Sequence, residues 1–105
     1  MTTLPNIHPG EVLQEEFLIP FGVSHERLAE EIGVAVPEIA ALSAGQRPVT
    51  ADLALRLARF FGTTPGFWLG LQTDYDTEET ERMLAGALNR IRPFKPPVTE
   101  LGQRL

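Results

Sequence analysis

The chain contains no cysteine among its 105 residues and only two histidines. The lack of cysteine excludes disulfide bonds, thiolate catalysis and cysteine-based zinc sites, and two histidines are too few for a histidine-rich metal site. No apolar stretch approaches the roughly 18 residues of a membrane span, and the first residues lack the basic and apolar pattern of a secretion signal. We therefore expect a cytoplasmic protein that uses neither a metal nor another cofactor and does not enter a membrane.

Basic residues are scarce and unevenly distributed. Nine Lys and Arg against 14 Asp and Glu give a net charge of −5, whereas nucleic-acid binders usually carry a basic surface. Up to Gly45 the chain contains seven glutamates and a single basic residue, Arg27. From Arg82 onward it contains five basic residues and a single acidic residue, Glu100. This split is compatible with a basic tail that binds an acidic partner or phosphate, and equally with a solvated surface whose asymmetry has no function.

Apolar residues recur at helical spacing along most of the chain, and no stretch shows the two-residue alternation of a half-buried strand. A length of 105 residues is enough for one helical core but not for two. We therefore predict an all-α protein with a short lead-in over residues 1–7 and a helical domain over residues 8–75. A C-terminal helix and a proline-rich tail are expected over residues 76–105.

Prolines, glycines and capping residues divide this pattern into helices. A first helix over residues 11–18 is expected to end at Pro20 and Gly22. A long amphipathic helix is predicted over residues 51–61, between a threonine cap and a glycine stop. The acidic start of the last helical stretch fits a capping box, so Asp76 is expected to begin a separate C-terminal helix.

Residues 24–50 predict two short helices joined by a tight turn. Apolar pairs at helical spacing, Leu28 with Ile32 and Ile39 with Leu42, give each helix one buried face. A glycine ends the first of the two helices without the steric penalty of a Cβ atom. This arrangement is the helix-turn-helix unit, which many proteins use to bind DNA but which does not prove DNA binding by itself.

Four parts of the chain resemble the HigA-type antitoxins, in the wider family of XRE/Cro-like (lambda-repressor-like) regulators. The resemblance implies a compact five-helix regulator that forms a homodimer, binds operator DNA in its own promoter and neutralises a small RelE-like ribonuclease toxin. The matching parts are HPGEVLQEEFL at 8–18, LAEEIGV at 28–34, Gly45, and ALRLARFFGTTPGFWLGLQTDYD at 54–76.

Carried over by position, the resemblance predicts a set of residues at the DNA. The second motif helix departs from the family pattern, because its start carries no Lys or Arg where such regulators usually have a serine and polar or basic residues. Its single charge, Glu38, would face phosphates or accept a hydrogen bond from a cytosine amine, and Val36 or Pro37 can contact a thymine methyl group. The predicted DNA-binding residues are Ser24, His25, Val36, Pro37, Glu38, Ala41, Gln46 and Arg47.

The uncharged second helix supports an alternative function, a protein-interaction module on the same fold that binds a toxin or acts as a scaffold and reads DNA weakly or not at all. Phosphate contacts supply much of the affinity for DNA, and an acidic surface is complementary to a basic toxin. The homodimer is expected to form through the aromatic helix or through the tail. An aromatic cluster is predicted either to form this dimer interface or to lie in the core, and its residues are Phe67, Trp68, Leu71 and Tyr75.

The sequence does not support an enzymatic function. Ser24 and His25 are neighbours in the chain, not a nucleophile and a base held in place by a third group. No glycine-rich phosphate loop and no metal-ligand spacing is present. His8 has no second histidine or matching acid spaced near it, so we interpret it as a capping or packing residue in preference to a ligand or base.

Overall fold

The computed structural model describes residues 6–97, and all regular secondary structure within them is helical. The prediction of an all-α, five-helix fold is confirmed. Residues 1–5 of the predicted lead-in and 98–105 of the predicted tail lie outside the described residues. The helices are α1 (residues 9–21, with π-helical turns at Leu13–Leu18 between Pro9–Val12 and Ile19–Phe21), α2 (His25–Ile32), α3 (Val36–Ser43), α4 (Ala51–Phe61) and α5 (Pro65–Asn89).

Side-chain caps begin four of the helices. The hydroxyl oxygens of Ser24, Thr50 and Thr64 each accept a hydrogen bond from the backbone N–H three residues later, at 3.0, 3.2 and 3.1 Å. These bonds satisfy N–H groups that have no partner within the helix. At the start of α1, Nδ1 of His8 accepts from the Gly10 N–H at 2.9 Å, which confirms the capping role predicted for this histidine.

A proline inside α1 explains its π-helical turns. The N–H of Ile19 bonds to the Gln14 carbonyl, five residues back instead of four. Pro20 has no N–H to continue the ladder, and its ring crowds the carbonyl four residues earlier. We attribute the wide turns at Leu13–Leu18 to this crowding, because they move that carbonyl away. The predicted end at Pro20 is therefore wrong, and Gly22 (φ 66°) ends the helix.

The C-terminal segment is one continuous helix of 25 residues. The separate helix predicted to begin at Asp76 is wrong. Oδ1 of Asp76 accepts a hydrogen bond from Nε2 of Gln72 at 2.9 Å, one turn earlier in the same helix, so Asp76 does not act as a cap. Gly70 does not break the helix, since an isolated glycine in a helix is tolerated. The fifth helix thus includes both the aromatic segment and the predicted C-terminal helix.

The motif helices bury the apolar pairs predicted from their spacing. Leu28, Ile32, Ile39 and Leu42 all belong to the buried core. Helix α3 also packs against the start of α1. A Cβ atom built on Gly10 would lie 1.7 Å from the Leu42 carbonyl oxygen. The backbones of α1 and α3 therefore touch at this point, and only glycine fits there.

An aromatic cluster joins α1, α4 and α5. The ring centroid of Phe17 lies 5.0 Å from that of Phe61 and 4.9 Å from that of Trp68. The indole N–H of Trp68 donates to the Thr63 hydroxyl oxygen at 2.8 Å, which satisfies the only polar group of the buried ring. These contacts fix the first turns of α5 against the remainder of the domain.

A buried amide ties the loop between α3 and α4 to α5. Oε1 of Gln72 accepts a hydrogen bond from the Val49 N–H at 2.8 Å, and both residues are buried. Nε2 of the same side chain donates to Asp76. Both ends of the amide are therefore satisfied, as a buried polar group requires. The loop that follows α3 is thus held in a defined position.

The contact between α1 and α3 predicts opposite effects for two glycine substitutions. Gly10→Ala should lower the free energy of unfolding by about 3 kcal/mol or more, because the added methyl overlaps backbone that cannot move freely. Gly70→Ala should raise it by about 0.5–1 kcal/mol, since nothing lies within 4 Å of that position and alanine favours the helix. Urea unfolding followed by circular dichroism measures both values. Equal midpoints for Gly10→Ala and the natural protein would contradict the close contact.

Candidate nucleic-acid interface

Helix α3 turns one side into the core and leaves its first turn accessible. Ile39 and Leu42 are buried, whereas Val36 is 37% exposed and Pro37 is also exposed. Ala41, one turn further along, is half-buried. In helix-turn-helix proteins the N-terminal residues of the second helix contact base edges in the major groove. The three predicted positions Val36, Pro37 and Ala41 therefore lie on one accessible part of α3.

The single charge of α3 is neutralised by a cation from the following loop. Oε2 of Glu38 lies 3.0 Å from Nη2 of Arg47, and the two side chains are 33% and 35% exposed. Nε of Arg47 is buried and has no hydrogen-bond partner among residues 6–97. The structure thus brings together two of the predicted DNA-binding residues, and Glu38 holds the guanidinium beside the accessible turn of α3.

The other predicted polar positions lie at the start of α2 and after α3. The hydroxyl oxygen of Ser24 caps α2, and the side chain is exposed. Nε2 of His25 is 2.9 Å from Oε1 of Gln14, which links the start of α2 to α1. Gln46 is exposed, and its backbone N–H donates to the Ala41 carbonyl at 2.8 Å. These residues flank α3 and remain predicted DNA contacts.

The four predicted dimer residues differ in accessibility. The Trp68 side chain is fully buried within one chain, so it has no surface to offer a second copy and is a core residue. Phe67 is 40% exposed, and Leu71 is partly buried against the core. Tyr75 is half-buried and packs edge-on against His8, with ring centroids 4.8 Å apart. A dimer role for Phe67, Leu71 and Tyr75 stays a prediction.

His8 is built into the fold. Besides capping α1 through Gly10, its ring packs against Tyr75 and lies 3.6 Å from the position that a Cβ atom on Gly45 would occupy. Burial lowers the pKa of His8 from its usual value, and the negative charge of Asp76 partly opposes this shift. The folded protein therefore favours the neutral imidazole, whose Nδ1 is free to accept the capping hydrogen bond.

Arg56 has a role that helical spacing does not reveal. Its position on the outer side of α4 predicts only a solvated side chain, yet Nη1 donates to the Ile32 carbonyl at 2.6 Å and to the Gly33 carbonyl at 3.4 Å. The cation thus satisfies carbonyl groups at the C-terminal end of α2, where the helix dipole is negative. Arg56 fixes the far end of α2, the helix that begins at Ser24, against α4.

The part of the chain that the structure describes offers few other kinds of site. No group of three His, Asp or Glu side chains within it is arranged to hold a metal ion. None of the helices in residues 6–97 combines the length and the apolar character needed to cross a membrane. The predicted positions that the structure brings together lie at the accessible turn of α3 and in the loop that follows it.

Comparison with known proteins connects this interface to a family. Residues 15–68 match the helix-turn-helix family. The virulence-associated protein I of Dichelobacter nodosus is 46% identical over 79 residues, which cover 75% of this chain and 73% of that protein. The antitoxin HigA-1 of Vibrio cholerae is 36% identical over 85 residues, which cover 81% of this chain and 80% of that protein. The solved structure of Pseudomonas aeruginosa antitoxin HigA with the higBA promoter matches this chain with a TM-score of 0.82 and 35% sequence identity. The match covers 87% of this chain and 100% of that one.

The cap on α1 predicts a pH dependence of stability. The pKa of His8 is lower in the folded than in the unfolded chain. Neutral His8 therefore contributes its full stabilisation of the folded state above the usual histidine pKa of 6.5. This contribution is lost as the pH falls through the lower pKa that His8 has in the folded chain. His8→Asn keeps an N-cap that does not titrate. Urea midpoints measured from about pH 7.5 to 5 should therefore fall more for the natural protein than for the variant. Parallel profiles would contradict this role of His8.

Proposed function

Because this chain belongs to the helix-turn-helix family and to its HigA-type antitoxins, we propose that it is an antitoxin and repressor that binds operator DNA as a homodimer. It also neutralises a small RelE-like ribonuclease toxin. The observation that carries DNA binding is the accessible first turn of α3, with Arg47 held beside it by Glu38. The promoter in the solved P. aeruginosa structure supports the same assignment.

In this proposal the phosphate contacts come mainly from outside α3. The first N–H groups of a helix have no intrahelical partner and attract anions, so the start of α2 at Ser24 and His25 is suited to a phosphate. Arg47, which pairs with Glu38 of α3, adds a cation, and the exposed Gln46 precedes it in the loop. Contacts of this kind fix the position of a protein on DNA without reading sequence.

The toxin contact is proposed for the acidic front of the molecule. Exposed glutamates of α1 and α2 give this region a negative charge that suits a basic ribonuclease and mainly raises the rate of association. The same observation favours the second candidate function, an interaction protein with little DNA binding, since the only charge of α3 is itself an acid. The exposed glutamates are Glu11, Glu15, Glu16, Glu26, Glu30 and Glu31.

The dimer is proposed to form through the outer part of α5. Leu84 and Leu88 lie one turn apart and are each 41% exposed, and Ile91 just beyond the helix is 64% exposed. Residues 76–90 are mostly exposed, and a helical segment of this length is only marginally stable in water without packing. A second copy that covers Leu84 and Leu88 would supply this packing.

Operator binding is tested by fluorescence anisotropy with DNA from the upstream region of the gene and with random DNA, over a range of salt. We expect selective binding to the upstream DNA. Arg47→Ala should weaken this binding about tenfold. It should also reduce the slope of log affinity against log salt concentration by about one, because one fewer phosphate is neutralised. Arg59→Ala is the matched control, because it removes the same charge from an exposed position on α4. Equal binding to both DNAs would refute the repressor and favour the interaction protein.

The dimer is tested by light scattering coupled to size-exclusion chromatography. The double variant Leu84→Glu, Leu88→Glu should shift the protein from dimer to monomer, because it places two charges in the apolar contact of each copy. Met83→Glu, on the neighbouring helix face and 78% exposed, should leave the dimer intact. A double variant that remains a dimer would assign the interface to another part of the chain, such as the predicted residues Phe67 and Tyr75.

A further inference from the structure

We propose that α3 reads its operator through apolar contacts with thymine methyl groups and makes no side-chain hydrogen bond to a base edge. This inference rests on the proposed DNA-binding function. Among the eight residues of α3, VPEIAALS, only Glu38 and Ser43 have polar side chains. How these two side chains are engaged decides what kind of surface α3 presents to the major groove.

Neither polar side chain of α3 is both exposed and unpaired. Glu38 is ion-paired with Arg47 through Oε2 at 3.0 Å, so a base would have to compete with the guanidinium for that oxygen. The hydroxyl oxygen of Ser43 is buried and has no partner among residues 6–97, so a base cannot reach it. The residue that precedes the helix, Ala35, makes no side-chain cap, and Pro37 has no N–H to donate. The side chains of α3 therefore offer the groove no donor, and their one accessible acceptor, the Glu38 carboxylate, is held in an ion pair.

The accessible side chains of α3 form one apolar strip. Val36 and Ala40 are a helical turn apart, as are Pro37 and Ala41, and the two pairs are neighbours on the helix surface. Val36, Pro37 and Ala40 are exposed, and Ala41 is half-buried. All four side chains are small, so the helix can approach the base edges closely. This strip is the part of α3 that a major groove would contact.

The chemistry of the major groove selects thymine for such a strip. The C5-methyl of thymine is the apolar group among the base-edge features that distinguish the four base pairs. An apolar side chain gains free energy when it covers a methyl group. Over a guanine or an adenine edge it would strip water from donors and acceptors without replacing their hydrogen bonds, which is costly. The strip therefore discriminates between bases by attraction to one and by desolvation of the others.

Deoxyuridine gives a direct test, because it differs from thymidine only by the missing methyl group. The operator is first located by footprinting, and each thymine of one half-site is then replaced singly by uracil. We expect one or two positions at which affinity for the full-length protein falls about fourfold, the effect of one buried methyl-sized group. Uracil outside the footprint should have no effect.

A double-mutant cycle assigns the methyl contact to α3. With Val36→Ala, the uracil effect should shrink at one operator position, because the partner of that methyl group is gone. Leu55→Ala removes an exposed aliphatic side chain from α4 and is the matched control, so the full uracil effect should remain. Both side chains are exposed, and neither substitution should impair folding.

Three results would overturn the inference. Selective operator binding without any uracil effect would refute apolar reading and leave the proposed function intact. A uracil effect that neither Val36→Ala nor Pro37→Ala reduces would place the methyl contact outside the exposed first turn of α3. The absence of selective binding to any promoter fragment would refute the proposed function as well.

Discussion

The backbone contact between Gly10 and the Leu42 carbonyl is the constraint on which the position of α3 depends. Helix α3 has eight residues, too few to be stable alone in water, so packing determines its orientation. On one side it lies on α1 through Gly10, and the ring of His8 continues this contact to Gly45. With its buried side fixed in this way, the strip from Val36 to Ala41 can only face outward.

Most of the fold could be predicted from the sequence because local chemistry and tertiary packing agree. Apolar spacing located the motif core, and the Thr50 cap lies where the sequence placed it. The errors occur where a helix continues past a local start or stop signal. Pro20 is accommodated by a wide turn within α1. Asp76 fails as a cap because its carboxylate bonds to Gln72, which is already committed to Val49 in a distant loop.

The candidate interface could be predicted as a set of positions but not as an arrangement of charges. Helical spacing predicts pairs four residues apart, such as Arg27 with Glu31, and this pair is present at 3.8 Å. No spacing rule connects Glu38 with Arg47, which are nine residues apart and separated by a turn. The buried state of Trp68 was likewise undecidable, because an aromatic cluster has the same sequence pattern in a core and in an interface.

With Arg47 beside α3 and a net charge of −5, the proposed repressor must obtain affinity from something other than many phosphate contacts. Coulomb attraction to DNA grows with the number of neutralised phosphates, and the Glu38 carboxylate offsets part of what Arg47 contributes. In the proposed dimer two linked α3 helices change this balance, since the second half-site binds at a high effective concentration once the first is bound. Modest attraction per helix then gives useful affinity only when both half-sites fit. The proposed dimer through α5 and the proposed selectivity of α3 are therefore parts of one mechanism, because the modest attraction of each helix needs the other helix to give useful affinity.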